Sequence, residues 1–208
     1  MLEKSLLRED QTQEFGFAPG GRPAEEPDEE LIWRARLGDE SAFRVMVERY
    51  QNQVAATVIG MLGRGPEADD VGQETFIRFY RSLHRIRGES SLGTYLTRIA
   101  INLCLDAMRR QTKRRFWFRM DLDEEPLPEE LMIEDSPDVE SGERREQVQR
   151  AIQSLDPKHR AVVVLRMISG CSTRETAQLL KIPTGTVLSR LARAQEKLRR
   201  MLQPLIIE

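Results

Sequence analysis

The chain has 208 residues, of which 32% are charged and only 6% aromatic, and its formal net charge is −2. This length allows one or two domains. The few aromatic residues and the near absence of Val/Ile runs between turn residues favour an all-helical protein. No apolar stretch is long enough to cross a bilayer and the first residues lack a signal-peptide pattern, so we expect a soluble, cytoplasmic chain without membrane insertion.

Residues that commonly carry catalysis are sparse. Cys104 and Cys171 are isolated, and we expect two buried thiols rather than a disulfide or a pair of metal ligands. His84 and His159 are distant in sequence, and the chain has neither a glycine-rich phosphate loop nor a nucleophile motif. The sequence therefore predicts no catalytic residue, no metal and no cofactor, and it does not indicate an enzyme.

The small net charge hides a strong segregation along the chain. Residues 77–115 carry ten Lys and Arg against two Asp and Glu, and residues 156–208 carry ten against four. Residues 121–146, between them, carry twelve acids and two bases. Basic blocks on folded helices suit a polyanion, whereas an acidic segment is a poor partner for DNA.

The first part of the chain has the pattern of a four-helix domain over residues 28–111, preceded by a mobile extension over residues 1–27. Asp28 and Asp39 are candidate helix caps, and helices are also expected to open at Pro66 and near Thr94. The second helix has an apolar stripe at spacings of four and three: Phe43, Val47, Tyr50, Val54, Val58 and Leu62.

A mixed acidic, amide and apolar patch is expected on the third helix. Asp70, Gln73, Glu74 and Ile77 fall at i, i+3, i+4 and i+7, so they share one outward face. Such a face is either a solvated first turn or a surface on which a partner helix docks.

Residues 112–140 contain three prolines and many acids without a sustained helical period, which predicts an acidic interdomain linker. Three adjacent aromatic residues, Phe116-Trp117-Phe118, stand at the start of the linker. They either pack on one of the domains or contact a partner, and the sequence is compatible with both. A second helical domain is expected over residues 141–208. The predicted fold is all-α, with two small helical domains joined by this linker.

Residues 172–200 have the pattern of a short helix, a turn at Ile182-Pro183 and a longer helix. An apolar seam on the longer helix comprises Val187, Leu191, Ala194 and Leu198. Hydroxyl and cationic residues lie together about a quarter-turn away: Thr186, Ser189, Arg190, Arg193, Lys197 and Arg200. This edge suits either a recognition helix in a DNA major groove or a solvated basic face.

Two stretches together resemble bacterial sigma factors. DDVGQETF at 69–76, RIRGESS at 85–91 and RIAINLCLDAMRR at 98–110 look like region 2 of that family. Residues 155–198, which include IPTGTVLSR, look like region 4. Their order and their separation by a bare linker are similar to the extracytoplasmic-function (ECF) group. The resemblance implies a promoter-specificity subunit that binds core RNA polymerase and promoter DNA and is controlled by an anti-sigma protein.

The resemblance also implies roles for individual residues. Five residues would dock on the clamp of the largest polymerase subunit: Asp69, Asp70, Gln73, Glu74 and Phe76. Six would contact the minus-ten element: Ser90, Ser91, Leu92, Arg98, Asn102 and Arg109. Five would contact the minus-thirty-five element: Thr186, Ser189, Arg190, Arg193 and Lys197. Leu92 and Tyr95 stand where members of the family often carry Phe and Trp.

Two other functions are compatible with parts of the pattern. A dimeric helix-turn-helix regulator would need only residues 141–208 and leaves 28–111 unexplained. A helical protein-interaction module would use its basic faces to meet an acidic protein, and it predicts no salt-dependent contact with DNA.

Overall fold

The computed structural model describes residues 26–86, 90–121 and 139–203, and the side chains of 26–86, 90–113 and 144–203. Eight α-helices lie in these ranges: α1 Asp28–Arg36, α2 Glu40–Leu62, α3 Pro66–Ser82, α4 Leu92–Asp121, α5 Val139–Gln153, α6 Pro157–Val163, α7 Thr173–Leu180 and α8 Thr184–Leu202. A 3₁₀ turn, Leu83–Arg85, follows α3, and a π-helical turn, Val164–Ile168, follows α6. The described ranges contain no strand, so the all-α prediction is confirmed. Residues 1–25 of the predicted extension (1–27) and residues 122–138 of the predicted linker (112–140) lie outside the described residues. The remaining linker residues, 112–121 and 139–140, are helical, which corrects the predicted bounds of the linker.

The helix starts follow local chemistry, with one exception. Asp39 caps α2 because its carboxylate accepts hydrogen bonds from the backbone N–H groups of Ser41 (2.9 Å) and Ala42 (3.3 Å). The predicted cap at Asp28 is wrong, because Asp28 lies inside α1. Its carboxylate instead accepts hydrogen bonds from Arg49 (2.6 Å) and Tyr50 (2.5 Å) and so ties α1 to α2.

The core of the first domain forms where α1, α2, α3 and α4 pack together. Phe79, Leu31 and Met46 are fully buried, and Phe79 stacks on Phe43 with ring centroids 5.6 Å apart. The buried stripe of α2 is wider than predicted, because this helix has neighbours on several sides. Its most buried apolar side chains are Ala42, Met46, Val54, Val58 and Met61.

Helix α4 is longer than the sequence predicted at both ends. It begins at Leu92 rather than Thr94, and it runs to Asp121 rather than Arg110. Residues 111–121 contain no Gly or Pro, so the backbone has nothing to stop it after Arg110. Phe116, Trp117 and Phe118 therefore lie on a helical backbone.

The second domain is a helical unit that ends in a helix-turn-helix. Ser172 and Glu175 form a capping box at the start of α7, with Glu175 N–H donating to Ser172 Oγ (3.1 Å) and Ser172 N–H donating to Glu175 Oε2 (2.7 Å). Val187, Ala194 and Leu198 are buried on α8 and Leu191 is half-buried, so the predicted apolar seam is confirmed.

The two domains pack against each other at what we call the interdomain contact. It joins the C-terminal part of α2 to α5, α6 and the π-helical turn. Gln149 donates to the carbonyl oxygen of Ile59 (2.6 Å), Gln153 to that of Gly60 (3.0 Å), and the hydroxyls of Thr57 and Ser169 are 3.0 Å apart. The last carbonyls of a helix lack partners within the helix. Gln153 supplies such a partner to Gly60, whereas Ile59 accepts from Gln149 in addition to the backbone N–H of Gly63.

The turn of the helix-turn-helix has one strained position that yields a stability prediction. Lys181 has φ +55° and ψ +47°, the left-handed conformation that costs a residue with a Cβ about 1–2 kcal/mol. We expect Lys181→Gly to raise the free energy of unfolding by about 0.5–1 kcal/mol in urea titrations. Lys181→Ala is the matched control, because it removes the same charge but keeps the Cβ. An equal gain in both variants would show that charge, not backbone strain, is responsible.

Candidate protein-binding and nucleic-acid interfaces

The acidic face of α3 is formed as predicted. Pro66 begins the helix, and Asp69, Asp70 and Gln73 are exposed to solvent. Ile77, one turn beyond Gln73, is 44% exposed. The face therefore combines carboxylates, an amide and an exposed apolar group within three turns of one helix.

Two other residues assigned to this face, Glu74 and Phe76, are half-buried rather than exposed. Glu74 accepts a hydrogen bond from Arg78 Nε at 2.8 Å, a pair one turn apart on the surface. Phe76 packs against the core of the first domain. Phe76 therefore supports the face from beneath, whereas Asp70 and Gln73 present polar atoms outward.

The loop before α4 exposes two hydroxyl groups. Ser90 and Ser91 are exposed, and Ser91 Oγ accepts a hydrogen bond from the backbone N–H of Thr94 at 3.3 Å. Leu92 is the first residue of α4 and only 4% exposed, because its side chain packs in the core. In this structure the hydroxyls, and not the Leu92 side chain, are available to a nucleotide. Residues 87–89 of the same loop lie outside the described part of the chain.

One face of α4 carries polar and basic side chains between residues 98 and 109. Arg98, Asn102 and Arg109 are all exposed. Arg109 Nη1 lies 3.0 Å from Asp106 Oδ1, and both side chains are more than half exposed, so water screens this pair strongly. Arg98 and Asn102 are four residues, about one turn, apart on this face.

Tyr95 makes its contacts within the first domain rather than forming part of an exposed face. Its hydroxyl donates to Ser82 Oγ at 2.9 Å, and its ring lies edge-on to Phe79 with centroids 6.4 Å apart. These contacts anchor the first turn of α4 to the end of α3. The exposed residues beside Tyr95 therefore lie on a helical turn that is fixed by packing.

Helix α8 presents a mixed edge of hydroxyl and guanidinium groups. Ser189 and Arg193 are exposed, whereas Thr186 and Arg190 are half-buried. Ser189 Oγ donates to the Thr186 carbonyl oxygen at 3.1 Å within the helix. Lys197 is exposed and donates from Nζ to the Ser154 carbonyl oxygen at 2.9 Å, so its ammonium group also links α8 to the end of α5.

The structure shows two cations near the turn that the sequence did not single out. A shallow groove of about 420 Å³ lies between α7 and the start of α8, and Arg174, Gln178, Lys181 and Thr184 line it. Arg174 and Lys181 are both exposed. The spacing along α8 could not reveal them because they precede that helix. They extend the positive edge of α8 towards α7.

The shifted pKa values of three side chains have local structural causes. Hydrogen bonds from Ser172 hold the pKa of Glu175 below its usual range. Burial raises the pKa of the Cys104 thiol to about 12 and also raises the pKa of Cys171. Both thiols are buried and free, which confirms the sequence prediction.

The described residues contain neither a membrane-spanning helix nor a cluster of metal ligands. No helix in the described ranges is long and apolar enough to cross a membrane. Over the same part of the chain, no cluster of three or more His, Cys, Asp or Glu side chains is placed to hold a metal ion.

Comparisons with known proteins agree with the two-domain architecture. Residues 46–114 match Sigma-70 region 2, and residues 145–198 match Sigma-70 region 4. The chain is 34% identical over 200 residues to the RNA polymerase sigma-H factor of Pseudomonas aeruginosa, covering 88% of this chain and 98% of that protein. It is 37% identical over 191 residues to the ECF RNA polymerase sigma-E factor of Escherichia coli strain K12, covering 86% and 96%.

Solved structures share the fold at lower identity. CnrH in complex with the cytosolic domain of CnrY has a TM-score of 0.59 at 24% identity, covering 85% of this chain and 97% of that one. The sigma factor RpoE in complex with the anti-sigma factor NepR from Bartonella quintana has a TM-score of 0.61 at 21% identity, covering 77% and 96%.

The two matched regions define a sigma-70-type transcription initiation factor. With the full-length similarity to ECF factors, this chain belongs to the extracytoplasmic-function group of RNA polymerase sigma factors. Its function is to direct RNA polymerase to promoters.

Proposed function

We propose that the acidic face of α3 binds the clamp of the largest subunit of core RNA polymerase. The exposed carboxylates and amide of Asp69, Asp70 and Gln73 precede the exposed Ile77 along α3. Protein interfaces commonly combine apolar contacts with polar groups that exchange hydrogen bonds. This exposed face is the observation that carries the proposal.

Promoter contact is divided between the two domains. Helix α8 enters the major groove of the minus-thirty-five element, with Thr186, Ser189, Arg190 and Arg193 at base edges and Lys197 towards phosphate. Arg174 and Lys181, beside the turn, add phosphate contacts that position this helix.

The loop and α4 contact the minus-ten element. Ser90 and Ser91 offer hydroxyls to an unstacked base, while Arg98, Asn102 and Arg109 follow the strand along α4. Capturing an unstacked base costs least where the duplex opens readily, so sequence selection and melting become one event. Leu92 is omitted from this set because its side chain is buried.

An anti-sigma protein controls this activity. Support comes from the solved structure of similar fold in which the sigma factor RpoE is in complex with the anti-sigma factor NepR. Such a partner would compete with polymerase for the exposed faces described above.

The clamp proposal is tested by reversing charge on α3. Asp70→Lys with Glu74→Lys should weaken binding to purified core polymerase at least about thirtyfold, or about 2 kcal/mol, the loss typical of a central interface contact. Affinity would be measured by fluorescence anisotropy and initiation by run-off transcription on a genomic promoter library. Both carboxylates lie at the surface, so the thermal unfolding midpoint should change little.

The matched control is Glu30→Lys with Glu48→Lys, which makes the same charge change at exposed positions on α1 and α2. This control should bind nearly as well as the unaltered chain. Equal affinities for the two double variants would refute the role of α3. If the unaltered chain binds duplex DNA but no polymerase, the proposed polymerase docking is wrong altogether.

A further inference from the structure

A glutamine on α2 holds the first turn of α4 in place. Gln53 Nε2 donates to the carbonyl oxygen of Gly93 at 3.3 Å and to Thr97 Oγ1 at 3.1 Å. Thr97 is 1% exposed and Gly93 is also buried, so the amide takes the place of water as a partner for both residues. Gln53 therefore forms a polar link between α2 and the start of α4.

The contact leaves no room for a side chain at position 93. A Cβ built on Gly93 would lie 3.0 Å from Gln53 Oε1 and 3.2 Å from Tyr50 Cε1. The Tyr50 ring is itself fixed, because its hydroxyl donates to Asp28 Oδ2 at 2.5 Å. Alanine is favoured over glycine in a helix, so what position 93 lacks is space. A side chain there would displace the Gln53 amide.

The turn that Gln53 holds is continuous with the loop that exposes two hydroxyls. Ser91 precedes this turn, and its Oγ accepts from the Thr94 N–H at 3.3 Å and lies 2.9 Å from Thr94 Oγ1. Gly93 is the residue just before Thr94. A shift of the backbone at Gly93 therefore moves Ser91, and Ser90 with it.

Base capture requires these hydroxyls to be placed accurately. Functional groups usually have to be held within about 0.5 Å of their productive geometry by packing and by hydrogen bonds from behind. Ser90 and Ser91 belong to an exposed loop, whereas Gln53 lies within α2, which packs on α1, α3 and α4. The amide thus connects a mobile kind of element to the best-packed helix of the first domain.

We propose that Gln53 is a positioning residue for promoter opening, which acts through Gly93 to fix the Ser90 and Ser91 hydroxyls where they receive the unstacked base of the minus-ten element. This inference rests on the proposed minus-ten role of the two serines. Gln53 acts on the backbone of α4 and does not contact the base. Its loss should impair opening and base selection, and leave the faces of α3 and α8 intact.

The first test removes the amide. Gln53→Met keeps the length of the side chain without its hydrogen-bonding groups. With core polymerase on a duplex promoter, we expect opening by the full-length variant to fall at least about tenfold, because small misplacements of positioned groups are costly. Permanganate reactivity of unpaired thymines measures opening, and fluorescence anisotropy should show unchanged affinity for polymerase. Gln51→Met, the same change at an exposed position of α2, is the matched control.

A promoter that is already unpaired across the minus-ten element separates positioning from stability. Initiation by Gln53→Met should recover on this template, since opening is no longer needed. Its discrimination against a substituted base at the captured position should still fall about fivefold, as expected for one neutral hydrogen bond. Equal losses of initiation on both templates with unchanged base preference, or a parallel loss of polymerase affinity, would show a merely structural role and overturn the inference.

Gly93→Ala disturbs the same contact from the other side. It improves helix propensity, so any loss comes from displacement of the amide. We expect the same defects in opening and base preference. Because both changes break one contact, Gln53→Met with Gly93→Ala should be no worse than the more severe single variant. Fully additive losses would show that the two residues act separately and would overturn the proposal.

Ser90→Ala with Ser91→Ala separates this inference from the proposed function. If this double variant opens promoters and selects bases as the unaltered chain does, the minus-ten role of the serines is refuted, and the positioning role of Gln53 with it. If the serine variant is impaired while Gln53→Met behaves like Gln51→Met, the positioning role alone is refuted. Impairment of both, with the same loss of base preference, supports the proposal.

Discussion

Replacing Arg190 and Arg193 together by alanine is expected to reduce initiation from promoters that depend on the minus-thirty-five element by about a hundredfold or more. Each good guanidinium contact to a base edge contributes about 1–3 kcal/mol, and two losses at separate bases add approximately. Arg193 is exposed and Arg190 half-buried, and both lie on one edge of α8. Run-off transcription on promoters with intact and scrambled upstream elements measures the effect.

Arg199→Ala is the control for this pair. It removes one exposed guanidinium from the same helix but from another face. Its effect should be small and similar on every promoter, because a phosphate contact carries no sequence information. Full activity of the double variant on intact promoters would remove α8 as the recognition helix.

Replacing Phe79 by alanine is expected to lower the free energy of unfolding by about 3–5 kcal/mol. Phe79 is fully buried, stacks on Phe43 and meets the ring of Tyr95 edge-on. Its loss removes a large buried area and leaves a cavity between α2, α3 and α4. Urea unfolding followed by circular dichroism measures the change.

Tyr80→Ala is the matched control, because this ring is the next residue of α3 and is 53% exposed. It meets Phe43 edge-on at 5.0 Å, so its loss should cost only about 1 kcal/mol. Equal losses for the two variants would contradict the placement of Phe79 at the centre of the first core.

The helices of this chain could largely be predicted because their ends are encoded locally. Asp39, Gly63, Pro66 and the Ser172 capping box act within a few residues, and each works as its residue type suggests. The sequence does not predict the role of Asp28, because its partners, Arg49 and Tyr50, lie on the next helix. The predicted end of α4 is also wrong, because dense charge is typical of a linker but does not stop a helix, and residues 111–121 contain no Gly or Pro.

The candidate sites could be predicted only in part, because spacing within a helix is local whereas contacts between elements are not. Helical spacing identified the exposed faces of α3 and α8, because exposure along an amphipathic helix follows its period. Spacing could not show that Leu92 turns inward, nor that Arg174 and Lys181 lie beside α8. The role of Gly93 is not predicted either, because a glycine in a helix gives no sign of which distant side chains approach it.

The carbonyl groups at the end of α2 make the interdomain contact sensitive to hydration. Gly60 and Met61 accept hydrogen bonds from Gln153 and Arg160 of the second domain. Without these donors, water would have to take over both acceptors, because an unpartnered carbonyl is costly. Excluded osmolytes disfavour newly exposed surface and urea solvates peptide groups. Osmolytes should therefore strengthen the interdomain contact, whereas urea should weaken it.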